Sequence, residues 1–146
     1  MLSAGVGGVD ISPEVGPAHA GWGARTHQVS LGNDMPLLVT ALAVANGDTE
    51  LAIVDVDIGI FTGDQDLLIR ELISEESGIP FENIRLAYSH THSAPITFGQ
   101  WIKEGIGLAN EWWGRIPDAC ASAVIEAKNA LKPARTGFGR GRCDIN

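Results

Sequence analysis

Two histidines one residue apart, His90 and His92, lie in Ser89-His90-Thr91-His92-Ser93-Ala94-Pro95, directly after the apolar run Ile84-Arg85-Leu86-Ala87-Tyr88. Imidazole is the commonest metal-ligating side chain, and such a pair, placed where a buried strand breaks into a loop, can converge on one ion. Small hydroxyl residues flank the pair. Spacing alone also fits hydrogen-bonded or surface histidines, so the surrounding elements must decide. A second candidate is Asp57, at the end of Leu51-Ala52-Ile53-Val54-Asp55-Val56-Asp57. An acid there suits the orientation of a metal-bound histidine, and equally the capping of a loop or helix.

The elements that must position these groups can be read in order. Residues 6–11 predict a strand stopped at Ser12-Pro13, since proline cannot donate to a ladder. Residues 14–34 predict loop, broken by Gly16, Pro17, Gly21, Gly23 and Gly32. The apolar runs 37–46 and 51–57, around Asn46-Gly47-Asp48, predict a hairpin. Thr62-Gly63-Asp64-Gln65 has the spacing of a capping box and opens a helix with Leu67, Leu68 and Leu72 on one side; Gly78 and Pro80 end it. Residues 84–89 predict the next strand. Strand, helix and strand in so short a span imply a crossover between parallel strands, with Asp57 and His90 at one carboxyl edge of the sheet, where α/β folds gather their ligands.

A helix is predicted over about 111–131, with Ile116, Cys120, Ala123, Val124, Ala127 and Leu131 on its apolar face and Pro117 as a kink or first-turn residue. Thr136-Gly137-Phe138-Gly139-Arg140-Gly141 predicts a last strand. The expected fold is therefore α/β, a mixed sheet with helices packed on it, in the order β-β-β-α-β-α-β. Strand runs this continuous suit cover on both faces. Two helices supply too little of it, so a sheet face or edge is expected to stay open and to favour self-association or association with another polypeptide.

Composition sets the outer bounds. The chain of 146 residues is 45% apolar, with 18 glycines and 7 prolines, and suits a single globular domain. A formal charge of −8 argues against nucleic acid as a partner, because phosphates need a basic face. No run approaches a membrane span, and the N-terminus lacks the basic and apolar regions of a signal peptide, so a cytoplasmic location is expected. Cys120 and Cys143 have no Cys-x-x-Cys spacing, and Cys120 reads as a buried free thiol. His19 and His27, in the glycine-rich loop, read as solvent-exposed. Packing in core or loops is the expected role of Trp22, Trp101, Trp112 and Trp113, with pocket lining as the alternative.

The histidine motif resembles the Thr-His-Thr-His-Ser-Gly-Pro signature of the neutral ceramidase family, zinc amidohydrolases of N-acyl-sphingosines. Val9-Asp10-Ile11-Ser12-Pro13 resembles the family's Ala-Asp-Ile-Thr-Pro opening, and Gly21-Trp22-Gly23 falls at its Gly-Tyr loop. Asn33-Asp34, followed by a Leu/Ala-rich strand, is similar to a family segment of the same character. Val54-Asp55-Val56-Asp57-Ile58-Gly59 is similar to its Asp-Leu-Gly strand end, and Phe138-Gly139-Arg140-Gly141 to its Tyr-Gly-x-Gly strand.

The resemblance implies His90 as a zinc ligand, His92 and Asp57 as catalytic groups beside the metal, and Gly21 as a backbone lining the head-group pocket. The implied chemistry is hydrolysis of a lipid or small-molecule amide by metal-activated water, with zinc as cofactor. Two departures stand out. The family's Ser-Gly-Pro-Gly-Gly is here Ser93-Ala94-Pro95-Ile96-Thr97, a bulkier loop beside the metal. The family also draws a further histidine, a glutamate and a tyrosine from sequence well downstream, so residues 1–146 are expected to be the N-terminal part of a larger catalytic domain, and inactive alone.

Two other readings stay open. One is a different His-x-His metallohydrolase, although Ser93-Ala94 replaces the Asp-His of the metallo-β-lactamase type, and several strands precede the pair where a TIM-barrel amidohydrolase has one. The other is a non-catalytic α/β binding or assembly module without the rest of the metal site.

Overall fold

All nine residues of β1, Leu2–Asp10, pair antiparallel with β2, Leu38–Asn46, from Leu2 opposite Asn46 to Asp10 opposite Leu38. The strand thus begins before residue 6, because the ladder to β2 holds its glycine-poor start. The computed structural model describes residues 1–19 and 21–144; Ile145 and Asn146, where the resemblance sets a stop in mid-domain, lie outside the described residues. A tight turn with Gly47 at φ 60° carries β2 into β3, Thr49–Val56, its antiparallel partner. This is the expected hairpin.

Helix α1, Gly63–Ser77, then crosses to β4, Ile84–Tyr88, which lies parallel to β3 with Val56 opposite Tyr88. A single 3-10 turn, Phe81–Asn83, leads into β4. The capping box forms: Thr62 Oγ1 accepts from the Gln65 amide at 3.3 Å, and Gln65 Oε1 accepts from the Thr62 amide at 2.8 Å. Gly78 ends the helix at φ 72°, its N–H donating to the Ser74 carbonyl. The buried stripe of α1 is Ile69, Ile73 and Ser77, whereas Leu67 and Leu68 are exposed. The β-branched pair four residues apart enters the core, with Leu72 packed half-buried against it, while Leu67 and Leu68 face away.

The expected long helix is two. Helix α2 spans Ile106–Trp113 and α3 spans Ile116–Asn129, divided at Gly114-Arg115, with Pro117 in the first turn of α3. Proline there forfeits no helical hydrogen bond. The expected apolar face of α3 is buried as read, with Leu131 partly so. Residues 136–141 form no strand; their glycines are exposed and meet no ladder. Instead β5 is the pair Lys132–Pro133, antiparallel to β1. The sheet is mixed, in the order β4-β3-β2-β1-β5.

Helices α1 and α3 share one face of it. Val39, Ala41, Ala43, Ala52, Val54 and Val56 point into that core, with Ile69, Ile73, Cys120 and Val124 opposite. Glycine brings α3 close: a Cβ on Gly5 would lie 2.1 Å from the Ala127 carbonyl oxygen, and one on Gly7 2.2 Å from that of Ala123. Burial pushes the Cys120 thiol up to about 12, so it stays an inert apolar group. The other face is open. Val6 is 62% exposed and Ile53 41%, so the strand runs are covered on one side only. Among the described residues no helix is long and apolar enough to cross a membrane.

Candidate functional site

The parallel strands β3 and β4 end together, and both candidate groups lie just beyond them at one carboxyl edge. The Ser89 amide still donates to the Val56 carbonyl at 3.1 Å, after which the chain turns sharply. His90 makes that turn with φ 57°, alone among the described non-glycine residues in the left-handed region. A residue with a Cβ resists that conformation, and strain of this kind gathers at functional sites. It is held by a hydrogen bond of 2.6 Å between His90 Nδ1 and the Gly59 carbonyl. A carbonyl can only accept, so Nδ1 carries the proton and the Nε2 lone pair is left for a ligand.

The His92 ring packs edge-on against His90, centroids 5.1 Å apart. Behind them runs a series of aromatic contacts: Tyr88 lies 6.2 Å from His90, Phe61 5.6 Å from Tyr88, and Trp113 6.1 Å from Phe61. These rings restrict where the first imidazole can turn.

Asp57 shares the edge but not this cluster. Its Oδ2 accepts from the Leu38 amide at 3.0 Å, and its own N–H donates to the Leu38 carbonyl at 2.9 Å. The carboxylate therefore pins the start of β2 to the end of β3. Among the described residues no three His, Cys, Asp or Glu side chains stand together as a metal-holding group.

The loop of residues 14–34 folds back on the segment after the histidines. His19 N–H donates to the Gln28 carbonyl, Ala18 bridges to Val29, and the Ile96 amide donates to the Ala18 carbonyl at 2.9 Å. Ala18, Ile102 and Ala109 form a small second core beneath. Arg25 stacks over Trp101 at 5.5 Å, and the Lys103 amide donates to Gln28 Oε1. His19 is half-buried, not exposed, and stacks on exposed His27 with centroids 5.7 Å apart. Burial, and then the neighbouring imidazole, hold His19 below its ordinary value.

Between this lobe and the strand ends opens a pocket of about 300 Å³. Gly21, His90 and His92 line it together, and Asp57 does not. Ile58, Ile60, Ala94, Pro95, Ile96, Phe98, Trp101 and Trp113 supply apolar walls, with Thr62 and Gln65 from the head of α1. Two tryptophans assigned to packing therefore face the site, whereas Trp112 is buried and donates its indole N–H to the Ile11 carbonyl. Reading alone also passed over Gly59, Thr62 and Gln65. The crossover was the available signal, since it puts the start of α1 at the same edge as the end of β4.

No family model matches this chain, and no curated protein does. Solved structures that share its fold include two ceramidases. The neutral ceramidase from Pseudomonas aeruginosa superposes with a TM-score of 0.72 and 21% identity over 90% of this chain. A ceramidase complexed with C2 gives 0.68 and 21% over the same 90%. The chain spans 22% of the length of each. The mixed α/β fold is thus that of one part of a larger ceramidase chain.

Proposed function

We propose that this chain contributes part of the site of a zinc-dependent amide hydrolase of ceramidase type, acting on N-acyl-sphingosine or a related neutral amide. One observation carries the reading. His90, held in a left-handed conformation with Nδ1 engaged by Gly59 and so with Nε2 left for a ligand, lines an apolar pocket together with His92. That is how a metal-ligating histidine is oriented by its surroundings. The fold likeness to ceramidases supports the class.

The donor set fits zinc in kind and falls short in number. Two imidazoles suit the ion, while catalytic sites use three protein ligands and an open position. Zinc bound there supplies a water of pKa about 7 and a Lewis acid for the amide oxygen. The protein's part is to orient and to exclude. Gly59 fixes the tautomer of His90, and His92 delivers a proton to the departing amine nitrogen. The Gly21 backbone and the apolar walls keep bulk water from the amide. Asp57 enters as a positioning residue that ties the start of β2 to the end of β3.

Zinc binding by equilibrium dialysis with metal analysis tests this. We expect weak but saturable binding that is lost in His90→Ala and reduced in His92→Ala, with little or no amide turnover by residues 1–146 alone. Binding unchanged by His90→Ala overturns the reading. The second reading, a non-catalytic α/β module, gains from the absence of a third donor among the described residues. It predicts no zinc affinity beyond that of surface histidines.

A further inference from the structure

Two exposed surfaces of this chain, near opposite edges of the sheet, carry complementary groups at matching spacing. The first is the segment after β5. Residues 135–142 are exposed throughout, and Phe138 is 95% so. Residues 137–142 alternate strictly: Gly137, Phe138, Gly139, Arg140, Gly141, Arg142. Drawn out as an extended chain, Phe138, Arg140 and Arg142 fall on one side, about 6.6 Å apart, with glycine alone on the other. Lys132, Arg135, Arg140 and Arg142 follow one another with no acid before Asp144, in a chain whose formal charge is −8. Arg142 does pair with Asp144, but both ends are exposed, and such a pair is exchanged at little cost.

The second surface is the outer side of α1. Ile69 and Ile73 are buried, and the helical repeat puts Asp64, Glu71 and Glu75 on the opposite side, all exposed. Leu67 and Leu68, also exposed, flank that line one turn before Glu71. Glu71 and Glu75 are about 6 Å apart along the axis, close to the step from Arg140 to Arg142. The helix's own cation does not neutralise them, since Arg70 turns to Asp66 and stacks over Phe81. Among the described residues Asp64, Glu71, Glu75, Arg135 and Arg140 have no ion-pair partner.

The segment is too short to reach its own helix. It leaves from β5, whereas α1 packs over the β4 side, and about 19 Å separates these two edge strands before the thickness of the helix layer is crossed. Pro133 to Phe138 spans about 17 Å at full extension.

We infer that the segment Phe138 to Arg142 docks on the outer face of α1 of a second copy, Phe138 over Leu67 and Leu68, Arg140 on Glu71 and Arg142 on Glu75. Exchanged in both directions, the contact is two-fold and closed. It is independent of the amide-hydrolase reading. Aromatic and arginine side chains are the groups that most often anchor interfaces. The ion pairs are exposed and individually weak, so the dimer is weak and salt-sensitive.

Sedimentation equilibrium of residues 1–146, with reductant because Cys143 is exposed, provides the test. At low salt we expect a monomer–dimer equilibrium, weakened about tenfold or more near 0.5 M NaCl, where charges are screened within a few Å. Phe138→Ala should weaken it by a similar factor. Glu71→Lys with Glu75→Lys should be monomeric, as should Arg140→Glu with Arg142→Glu. An equal mixture of those two double variants should form heterodimers, because reversed segment then meets reversed helix and native meets native. All four changes in one chain should restore the homodimer. Far-UV dichroism of each variant checks that the fold is kept, and the restored pairings could not come from unfolded chains.

A parent that stays monomeric at low salt overturns the inference. So does association that neither double variant reduces, which would run through the open sheet face instead, and so does a mixture that fails to pair.

Discussion

Of the glycines that meet a close neighbour, those under the sheet and the one beside the pocket have neighbours that differ in kind. Under the sheet, Gly5 and Gly7 of β1 face the backbone of α3, with carbonyl oxygens 2.1 and 2.2 Å from where a Cβ would stand. Beside the pocket, Gly21 faces the far end of one side chain, Ile96 Cδ1, at 3.0 Å. A backbone carbonyl within a helix cannot move without the helix. An isoleucine methyl can change its position by tenths of an ångström. The first contact therefore fixes a layer distance on which the whole core depends, and the second joins two residues of the pocket wall, one of which can yield. The same residue type faces a fixed backbone in one region and a yielding side chain in the other.

The largest expected effect comes from the first region. Gly7→Ala would force β1 and α3 apart, since its Cβ would also lie 2.6 Å from the Ala127 amide nitrogen. Separating the layers loosens contacts among Val39, Ala41, Cys120 and Val124 as well. We expect a loss of about 3 kcal/mol or more, a large part of a typical domain's 5–15 kcal/mol. Urea unfolding followed by far-UV dichroism measures it. A change within about 0.5 kcal/mol, the range of ordinary surface substitutions, would show that helix and strand slide freely and would remove the contrast.

Gly21→Ala should cost far less. Only the Ile96 methyl has to yield, and we expect less than about 1 kcal/mol of stability. The same urea measurement applies. A loss equal to that of Gly7→Ala would mean that the lobe around Ala18 is as rigid as the core.

How far the sequence foretold each region follows the same division. Local chemistry was readable: the capping box at Thr62, the left-handed end at Gly78, the turn at Gly47 and the apolar stripe of α3 all depend on near neighbours. So was the shared edge of Asp57 and His90, because crossover topology leaves little choice. What escaped depended on distant partners. Leu67 and Leu68 look more apolar than the Ile69 and Ile73 stripe, yet only the stripe meets the sheet. The break at Gly114-Arg115 is set by how α2 seats Trp112 against Ile11. Phe98, Trp101 and Trp113 came to the pocket because the 14–34 loop folds onto the segment after the histidines, and nothing in their own spacing announces that. The carboxylate of Asp57, read as a site group, is taken up by the first amide of β2.

The smallest expected effect is the sharpest probe of the pocket side of the comparison. His19 sits at the base of the Gly21 loop, half-buried and stacked on His27, and its amide closes the loop onto Gln28. Burial, and secondly the adjacent His27, lower its proton affinity in the folded chain, whereas in the unfolded chain it titrates near the ordinary value of about 6.5. As pH falls below that value the unfolded state takes up the proton first, so stability is lost until the folded imidazole also titrates, and then levels off. His19→Phe keeps a flat ring in the stack and removes the titration. His27→Ala should leave most of the slope, since burial is the larger cause. Urea midpoints for the parent and both variants, taken from about pH 7.5 to 5, check this by difference, which cancels the carboxylates common to all three. The parent should lose slightly more stability than His19→Phe across that window. Parallel curves for the two would place the stack outside the folding equilibrium.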